Sequence, residues 1–450
     1  MLHGLLNYAG KRLLTVLLTF IMGLTCLVSC NKAGYDPATQ YGIIDQYGNW
    51  KVQPSFVSMP SIELETSELF PASFGAVSWG FVDISGTWVI EAQYRKVNNF
   101  QGKEYARIWE RNAETPDELA GLIDVEGNVV IKPAFGNLRL TSSSSEVIAQ
   151  DFETQAYGLV DYDGNWVVQP KFEDISGYSS TVGLFIAKEP ISGKYGYIDS
   201  GGEWIIEPVF EELNEFDEKG RARASDPESS LEGFIDVAGN WIIEPRFADL
   251  MDFDGKNMAR AEDPDLKLKG YIDEEGNWII EPLFKEIDTF DDKNRACATD
   301  SDSELKGYID ITGNWIIEPR FANIGVFDEK GRACATDPST ELEGYIDATG
   351  NWVIEPRFRA VGTFEDWGLA YCYDAETELA GYINENGEWV IEPKFKYAGD
   401  FVGTEGVALV AESGTGLYGY INTEEKWLFE PQFLTAYPLN QDGYAVVQVK

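Results

Sequence analysis

Histidine, the side chain that most often carries general acid–base catalysis, is nearly absent from this sequence. Its one histidine is His3, which lies in an N-terminal segment with the features of a targeting signal. Once such a segment is removed, no histidine remains for a Ser-His-Asp triad, for general acid–base chemistry or for metal binding. No phosphate-binding loop or dinucleotide fingerprint precedes a predicted helix. The sequence therefore predicts a protein that is not an enzyme and that has no metal and no cofactor.

Carboxylates are abundant, but they recur at a fixed interval. Glu207, Glu244 and Glu281 are each separated by 37 residues. A glycosidase uses one pair of carboxylates in one cleft, whereas these acids return in unit after unit, so we predict structural roles in turns and at strand ends. An acid-pair hydrolase is a minor alternative. The turn at 161–165 resembles a calcium loop but lacks its distal glutamate.

The chain is strongly acidic. It has 76 acidic and 35 basic side chains, which give a formal net charge of −41. Such a surface repels nucleic acids and anionic lipid headgroups and attracts cationic partners. We therefore expect no nucleic-acid partner. Because 44% of the residues are hydrophobic and 13% are aromatic, the chain can still bury a large core.

The N-terminus predicts export and lipid attachment. An apolar run at 13–28 follows two basic residues; it is short for a membrane span and suits a signal peptide. The run ends in LVSC at 27–30, which resembles the bacterial lipobox, and this resemblance implies cleavage before Cys30 and a diacylglycerol on its thiol. The predicted divisions are a signal peptide at 1–29, the lipidated cysteine and a tether at 30–40, and a repeat array at 41–450.

One phrase recurs eleven times in the rest of the chain. Its clearest form is GFIDVAGNWIIEPRF at 233–247, and from Gly196 to Gly381 the interval between successive units is always 37 residues. A period of this length is typical of stacked arrays and propeller-like rings. The opening glycines are Gly42, Gly80, Gly121, Gly158, Gly196, Gly233, Gly270, Gly307, Gly344, Gly381 and Gly419.

Each unit predicts a short series of strands. GFID and WIIEP are β-rich segments, and the turn between them has Asp236 for an Asx turn and Gly239 for a positive φ. They predict a hairpin whose second strand ends at Pro245. Trp241 should share a face with Ile243, two residues further along. A later phrase such as RARA predicts a third strand, and no helical period appears, so the fold class is all-β.

The repeat resembles the WG-repeat, or KWG, family of bacteria. The shared features are the Gly–aromatic–Ile–Asp run, the glycine turn, the apolar pair, and the proline followed by an aromatic residue. Val129 stands in place of tryptophan in the third unit, and Glu425 replaces the turn glycine of the last. Since the family is defined by its repeat, the resemblance implies a scaffold. Eleven units exceed the blades of an ordinary propeller, so we expect an open superhelical solenoid, with one or two propeller-like rings as the alternative.

Packing is the expected role of most repeated tryptophans and turn glycines, because burial of a tryptophan ring contributes several kcal/mol. This structural set comprises Trp204, Trp241, Trp278, Trp315, Trp352, Trp389, Gly239, Gly276, Gly313 and Gly350. Three tryptophans outside the repeat position are candidate contact residues, namely Trp79, Trp109 and Trp367.

Three cysteines lie within the array. Cys297 and Cys334 hold the position that is arginine in other units, which suggests a face partly open to solvent. Cys372 falls one residue later and should point to the opposite face. We predict three free thiols.

The expected function is that of a lipid-anchored scaffold of the bacterial cell envelope, at the outer membrane or cell surface. Its partner would be an unknown basic protein that binds acidic loops such as those at 263–265 and 337–338. The alternative is a glycan-binding module with an exposed tyrosine ladder formed by Tyr197, Tyr271, Tyr308, Tyr345 and Tyr382.

Overall fold

The structure is a computed structural model that describes residues 40–59, 69–75, 78–100, 104–111, 117–141, 145–364 and 367–450. Over these residues the chain forms forty β-strands and no helix, as the all-β prediction requires. The predicted signal peptide and Cys30 lie outside the described residues, and the first strand begins at Gln40.

Short strands follow one another along the whole described chain. The first group is β1 (Gln40–Asp45), β2 (Trp50–Phe56), β3 (Phe70–Gly75), β4 (Ser78–Val82), β5 (Trp88–Tyr94), β6 (Lys96–Val97), β7 (Tyr105–Arg111), β8 (Glu118–Asp124), β9 (Val129–Phe135), β10 (Asn137–Arg139), β11 (Val147–Gln150), β12 (Tyr157–Val160) and β13 (Trp166–Phe172). The second group is β14 (Asp174–Ser179), β15 (Leu184–Lys188), β16 (Tyr195–Ile198), β17 (Trp204–Phe210), β18 (Glu212–Leu213), β19 (Ala222–Ser225), β20 (Glu232–Ile235), β21 (Trp241–Phe247), β22 (Asp249–Leu250), β23 (Ala259–Glu262), β24 (Lys269–Ile272), β25 (Trp278–Ile287), β26 (Arg295–Asp300), β27 (Lys306–Asp310) and β28 (Trp315–Phe321). The last group is β29 (Asn323–Ile324), β30 (Arg332–Thr336), β31 (Glu343–Asp347), β32 (Trp352–Val361), β33 (Leu369–Asp374), β34 (Ala380–Asn384), β35 (Trp389–Ala398), β36 (Val407–Glu412), β37 (Tyr418–Asn422), β38 (Trp427–Phe433), β39 (Thr435–Ala436) and β40 (Tyr444–Val449).

In the described residues these strands make eleven antiparallel sheets of one pattern. A typical sheet has four strands, a to d, in chain order, such as β18-β19-β20-β21. The long strands β25, β32 and β35 each serve as strand d of one sheet and strand a of the next, so that some sheets are continuous. Sheet 1 combines both ends of the chain, with β39 and β40 as strands a and b and β1 and β2 as strands c and d. Sheets 2 to 11 follow in chain order.

The c–d hairpin folds as its sequence predicts. Asp236 Oδ1 accepts hydrogen bonds from the backbone N–H groups of Ala238 and Asn240, each at 2.9 Å, and Gly239 has φ of 82°. The opening Gly233 is needed for another reason. An added Cβ there would overlap the carbonyl oxygen of Ile243, so only glycine allows strands c and d to approach this closely.

The prediction that Pro245 ends its strand is wrong. Strand β21 continues through the proline to Phe247, which pairs with Glu232 of β20. The strand tolerates proline because it is the edge of its sheet, where a missing N–H removes no ladder bond.

One apolar core fills each gap between neighbouring sheets. Between sheets 5 and 6, the side chains of Tyr197, Ile206 and Phe210 meet Leu213 and Ala224 of the next sheet. Eleven such cores occur among the described residues, and each joins one sheet to the next. The sheets therefore pack face to face, like the blades of a propeller.

The two ends of the array close on each other. Strand β1 pairs with β40 along its whole length, from Gln40 opposite Val449 to Asp45 opposite Tyr444. One of the eleven cores joins sheet 11 to sheet 1, with Phe429 and Phe433 on one side and Ile44 on the other. The tandem all-β array is thus confirmed, and its sheets form one closed, propeller-like ring.

The expected open solenoid is wrong, and the ring alternative describes the molecule. In an open array, the chain ends would expose two apolar faces and the unpaired edges of β1 and β40, which costs burial and invites aggregation. Closure removes both faces and both edges together.

Candidate interaction surfaces

The repeated tryptophans lie half-buried between neighbouring sheets. Trp241 meets Phe210 of the preceding sheet edge-on, with ring centroids 5.5 Å apart and planes at 85°. Trp50 makes the same contact with Phe433 across the ring closure, at 5.8 Å. The other members of the structural set that make it are Trp204, Trp278, Trp315, Trp352 and Trp389.

The expectation that Trp241 shares a face with Ile243 is wrong. Trp241 packs in the core toward sheet 5, whereas Ile243 lies in the core toward sheet 7. The pairing of β20 with β21 has a register shift between Phe234 and Ile235, and such an irregularity re-aims the side chains of a strand.

The turn glycines are points of contact between sheets. Gly239, Gly276, Gly313 and Gly350 all have positive φ, between 82° and 85°. The carbonyl oxygen of Gly276 accepts a hydrogen bond from Nη2 of Arg246 in the preceding sheet. Gly350 and Gly387 accept the same bond from Arg320 and Arg357. These bonds therefore join sheet 6 to sheet 7, sheet 8 to sheet 9 and sheet 9 to sheet 10.

The tyrosine row is buried, so the exposed ladder proposed for glycan binding is wrong. Tyr197, Tyr271, Tyr308, Tyr345 and Tyr382 are at most 5% exposed. Each hydroxyl donates to a backbone carbonyl of the next sheet, as Tyr271 does to Asp288 at 2.9 Å and Tyr308 to Gly325 at 2.9 Å. Burial raises the pKa of Tyr271 to about 12. These residues join sheets to one another.

All three cysteines of the array are free. The expectation of a partly open face is wrong for Cys297, which is 7% exposed in the core between sheets 8 and 9. Cys334 is half-buried. Cys372 does point to the opposite face of its sheet, which brings it into the same core as Cys334. Burial raises the pKa of each thiol, to about 11 for Cys297, so none is activated as a nucleophile.

The three candidate contact tryptophans have different surroundings. Trp79 is half-buried and pairs in β4 with Tyr94 of β5. Trp109 is half-buried beside the core between sheets 3 and 4, and Lys96 Nζ lies 4.6 Å from its ring centroid. Trp367 is 39% exposed and lines an open cavity of about 410 Å³ with Gln46, Gly403, Thr404, Gln441 and Asp442. No sequence pattern indicated this cavity, because its walls come from three sheets.

The loops on the two faces of the ring differ in how many basic side chains they hold. Loops between strands b and c share one face, and five consecutive loops hold twelve acidic side chains and one basic side chain, at 226–231, 263–268, 300–305, 337–342 and 374–379. Loops between strands a and b share the other face with the c–d turns. In the same five sheets, the loops and turns of this second face together hold seventeen acidic and seven basic side chains, at 217–221, 254–258, 291–295, 328–332 and 365–369 and at 236–240, 273–277, 310–314, 347–351 and 384–388.

Ion pairs on the second face join neighbouring sheets. Lys219 and Arg221 both bind Glu274 of the next sheet, and Lys330 and Arg332 bind Glu385 in the same way. On the first face, the carboxylate at the start of each loop accepts bonds within its own turn. The hydroxyl and N–H of Ser229 hold the pKa of Asp226 below its usual value. The first face therefore carries ionised carboxylates at neutral pH, and two of them are ion-paired, Glu304 with Lys285 and Glu378 with Arg359.

Among the described residues, no group of three or more Cys, His, Asp or Glu side chains has the geometry of a metal site. In the same residues no helix has the length and hydropathy needed to span a bilayer.

A closed ring of face-packed, four-stranded sheets built from one tandem unit defines this chain as a propeller-like repeat protein. The model of the "WG containing repeat" matches it at nine segments, namely 79–108, 157–189, 195–225, 233–263, 270–299, 307–336, 344–371, 381–415 and 418–450. The chain belongs to the WG-repeat family.

Solved structures resemble this chain only distantly, and no curated protein sequence matches it. Virginiamycin B lyase from Staphylococcus aureus is 11% identical, with 53% of this chain and 94% of that chain covered and a TM-score of 0.25. A chain of the nidogen/laminin complex is 12% identical, with 51% and 95% covered and a TM-score of 0.25. Dipeptidyl peptidase 4 of Porphyromonas gingivalis is 10% identical, with 83% and 59% covered and a TM-score of 0.32. Scores this low transfer neither arrangement nor activity.

Proposed function

We propose that this protein is a non-enzymatic scaffold of the bacterial cell envelope that binds a basic protein through the acidic face of its ring. The observation that carries the proposal is the difference between the faces. Twelve acids and one base occupy five consecutive b–c loops, whereas the loops and turns of the other face in the same sheets hold seven bases beside seventeen acids, and four of those bases form ion pairs with neighbouring sheets.

Repetition makes this face suited to multivalent binding. Each of the five loops joins strands b and c of one sheet, and the five sheets follow one another in the ring. Similar acidic groups therefore lie side by side along an arc of the ring. Glu228, Asp302 and Glu376 are exposed on the first, third and fifth loops of that arc. A partner that engages several weak sites at once gains affinity through effective concentration, without any single deep pocket.

The test is a pull-down of solubilised envelope proteins with the immobilised protein, at rising salt. Exposed charges are screened over about 8 Å at 0.15 M ionic strength and about 3 Å at 1 M, so specific capture should fall steeply with salt. The triple variant Glu228→Gln, Asp302→Asn, Glu376→Gln should weaken it.

The matched control removes three charges from the outer strands instead, as Glu207→Gln, Glu244→Gln, Glu281→Gln. These glutamates are also exposed, so the net charge changes equally. Equal loss of capture in both triple variants, or capture that survives high salt, would contradict the acidic-face proposal.

Anchoring forms a second part of the proposal. The LVSC sequence at 27–30 supports lipid attachment at Cys30, followed by about ten residues of tether before β1 begins. Radiolabelled palmitate should be incorporated into the wild-type protein and not into Cys30→Ser, with membrane sedimentation lost in parallel. Label retained by the variant would disprove this attachment site.

A further inference from the structure

The cavity beside Trp367 lies at a step of the ring that lacks an inter-sheet lysine–glutamate pair. At two other steps of the ring, a lysine of the a–b loop binds a glutamate in the next c–d turn, as Lys219 binds Glu274 and Lys330 binds Glu385. Between sheets 10 and 11, the equivalent positions hold Trp367 and Thr423. Neither the lysine nor the glutamate is therefore present at this step.

The tryptophan ring is fixed in place although it is exposed. Its Nε1 donates a hydrogen bond to the carbonyl oxygen of Gly403 at 3.3 Å. The ring packs closely on Gly406. A Cβ added there would lie 2.8 Å from Cε2 of Trp367 and 3.0 Å from Cγ2 of Thr423. With 39% of Trp367 still exposed, the cavity has a rigid apolar wall.

The remaining walls are polar, and most of them are neutral. Thr404 Oγ1 lies 3.4 Å from Oε1 of Gln46, and Gln441 and Asp442 are exposed on the next a–b loop. Amide and hydroxyl groups both donate and accept hydrogen bonds, while the carboxylate only accepts. The cavity of about 410 Å³ has the size and the mixed lining of a small-molecule site.

We propose that this cavity binds a neutral saccharide. A pyranose ring has an apolar face that can stack on Trp367, and hydroxyl groups that can pair with Gln46, Thr404, Gln441 and Asp442. An organic cation fits less well, because recognition of such ligands uses a cage of several aromatic rings and Trp367 is the only aromatic residue in this lining. An anionic ligand would be repelled by Asp442.

This site is separate from the acidic face. Its residues come from a–b loops and from the c–d turn of sheet 1 that contains Gln46, so the cavity opens on the opposite face of the ring. The cavity lies where sheets 10, 11 and 1 meet, because its lining residues come from the loops and turns of these three sheets.

The test starts with an array of neutral mono- and oligosaccharides probed with the protein, followed by titration of the best-bound saccharide by tryptophan fluorescence. The variant Trp367→Lys with Thr423→Glu introduces the lysine and glutamate that form ion pairs at two other steps, so it should keep the melting temperature. It is expected to lose binding by at least about tenfold, or 1.4 kcal/mol.

A reciprocal variant, Lys219→Trp with Glu274→Thr, places tryptophan and threonine at another step, where Gln46, Thr404, Gln441 and Asp442 have no counterparts of the same type. Added to the binding-deficient variant, it should not restore binding. The proposal fails if no neutral saccharide on the array binds the protein. It also fails if the Trp367→Lys, Thr423→Glu variant binds with unchanged affinity, or if choline but no saccharide quenches the fluorescence.

Discussion

At the scale of residues, much of the acidity of this protein is built into its turns. Asp236 bonds the c–d turn, Asp217 bonds an a–b turn through the N–H groups of Lys219 and Arg221, and Asp226 bonds a b–c loop. These positions recur along the chain, which explains why carboxylates follow the repeat without forming an active site. The Asx turns could be predicted from the sequence, because they depend only on neighbouring residues.

Replacing one turn aspartate distinguishes what its hydrogen bonds contribute to stability from what its charge contributes. Asp236→Asn should keep the turn, since Asn384 accepts the same two bonds, both at 3.0 Å, in another unit, whereas Asp236→Ala should lower the melting temperature. The N–H of Asn240 is the main group that lowers the pKa of Asp236. Its ionised form therefore adds stability above the unfolded value of about 3.9, and this is lost as pH falls through the folded value.

Melting temperatures of both variants between pH 7 and pH 3 check this account. The melting temperature of wild type should fall relative to that of Asp236→Asn as the pH is lowered toward 3. A difference that does not change with pH would show that the carboxylate charge has no part in the turn.

Strain is present at several b–c loops. Glu341 has φ of 60°, at the position where Gly193 and Gly416 have φ of 67° and 71°. A side chain in this region costs more than glycine does. Glu341→Gly should therefore raise the free energy of unfolding by about 0.5–1 kcal/mol.

Denaturant unfolding of Glu341→Gly beside Glu341→Ala measures this gain. The alanine variant removes the same charge and keeps the Cβ atom, so it should gain much less. Equal gains in the two variants would assign the effect to charge repulsion.

At the scale of elements, strands were easier to predict than their contacts. The period-two runs and turn residues indicated the c–d hairpin and strand b, but strand a is only two residues long in several sheets, such as β18, and shows no pattern to recognise. The faces of Trp241 and Ile243 were assigned wrongly because alternation assumes an unbroken register, and the pairing of β20 with β21 shifts register beside them.

The hydroxyl groups of the buried tyrosines also link neighbouring sheets by hydrogen bonds. High pH should break these bonds. Burial raises the pKa of Tyr271 to about 12 and moves the pKa of Tyr197, Tyr308, Tyr345 and Tyr382 in the same direction. Since the folded pKa exceeds the unfolded value of about 10, the neutral phenols add stability below pH 10, and it is lost as pH rises through the folded values.

An alkaline titration that follows phenolate absorbance and circular dichroism together is the measurement. The buried tyrosines should ionise only as the strands unfold, above about pH 10. Ionisation of every tyrosine near pH 10 with the fold intact would mean that the row is open to solvent.

At the scale of the whole molecule, closure of the ring could not be predicted from the repeat unit alone. The sequence shows eleven similar phrases, and a count of eleven favoured an open array. The feature that indicated closure was the position within the repeat at which the array starts and ends. The described part of the chain starts with strands c and d, at 40–56, and its last strands are a and b, at 435–449. Two complementary halves can complete one sheet, but this is evident only when the order of strands within a sheet is known.

Closure also fixes what the surface can present. A ring displays its b–c loops on one face and its a–b loops on the other, so the acidic face and the Trp367 cavity point in opposite directions. Both proposed binding sites therefore depend on the ring.

The most direct test of the ring is a disulfide across its closure. Gln40 and Val449 are direct partners in the pairing of β1 with β40, so Gln40→Cys with Val449→Cys should form an intramolecular bond under mild oxidation. The linked chain should run faster on a non-reducing denaturing gel and melt at a higher temperature, and neither single variant should do so. An open array would keep these residues far apart, and the double variant would then stay reduced or join separate molecules, which would contradict the closed ring.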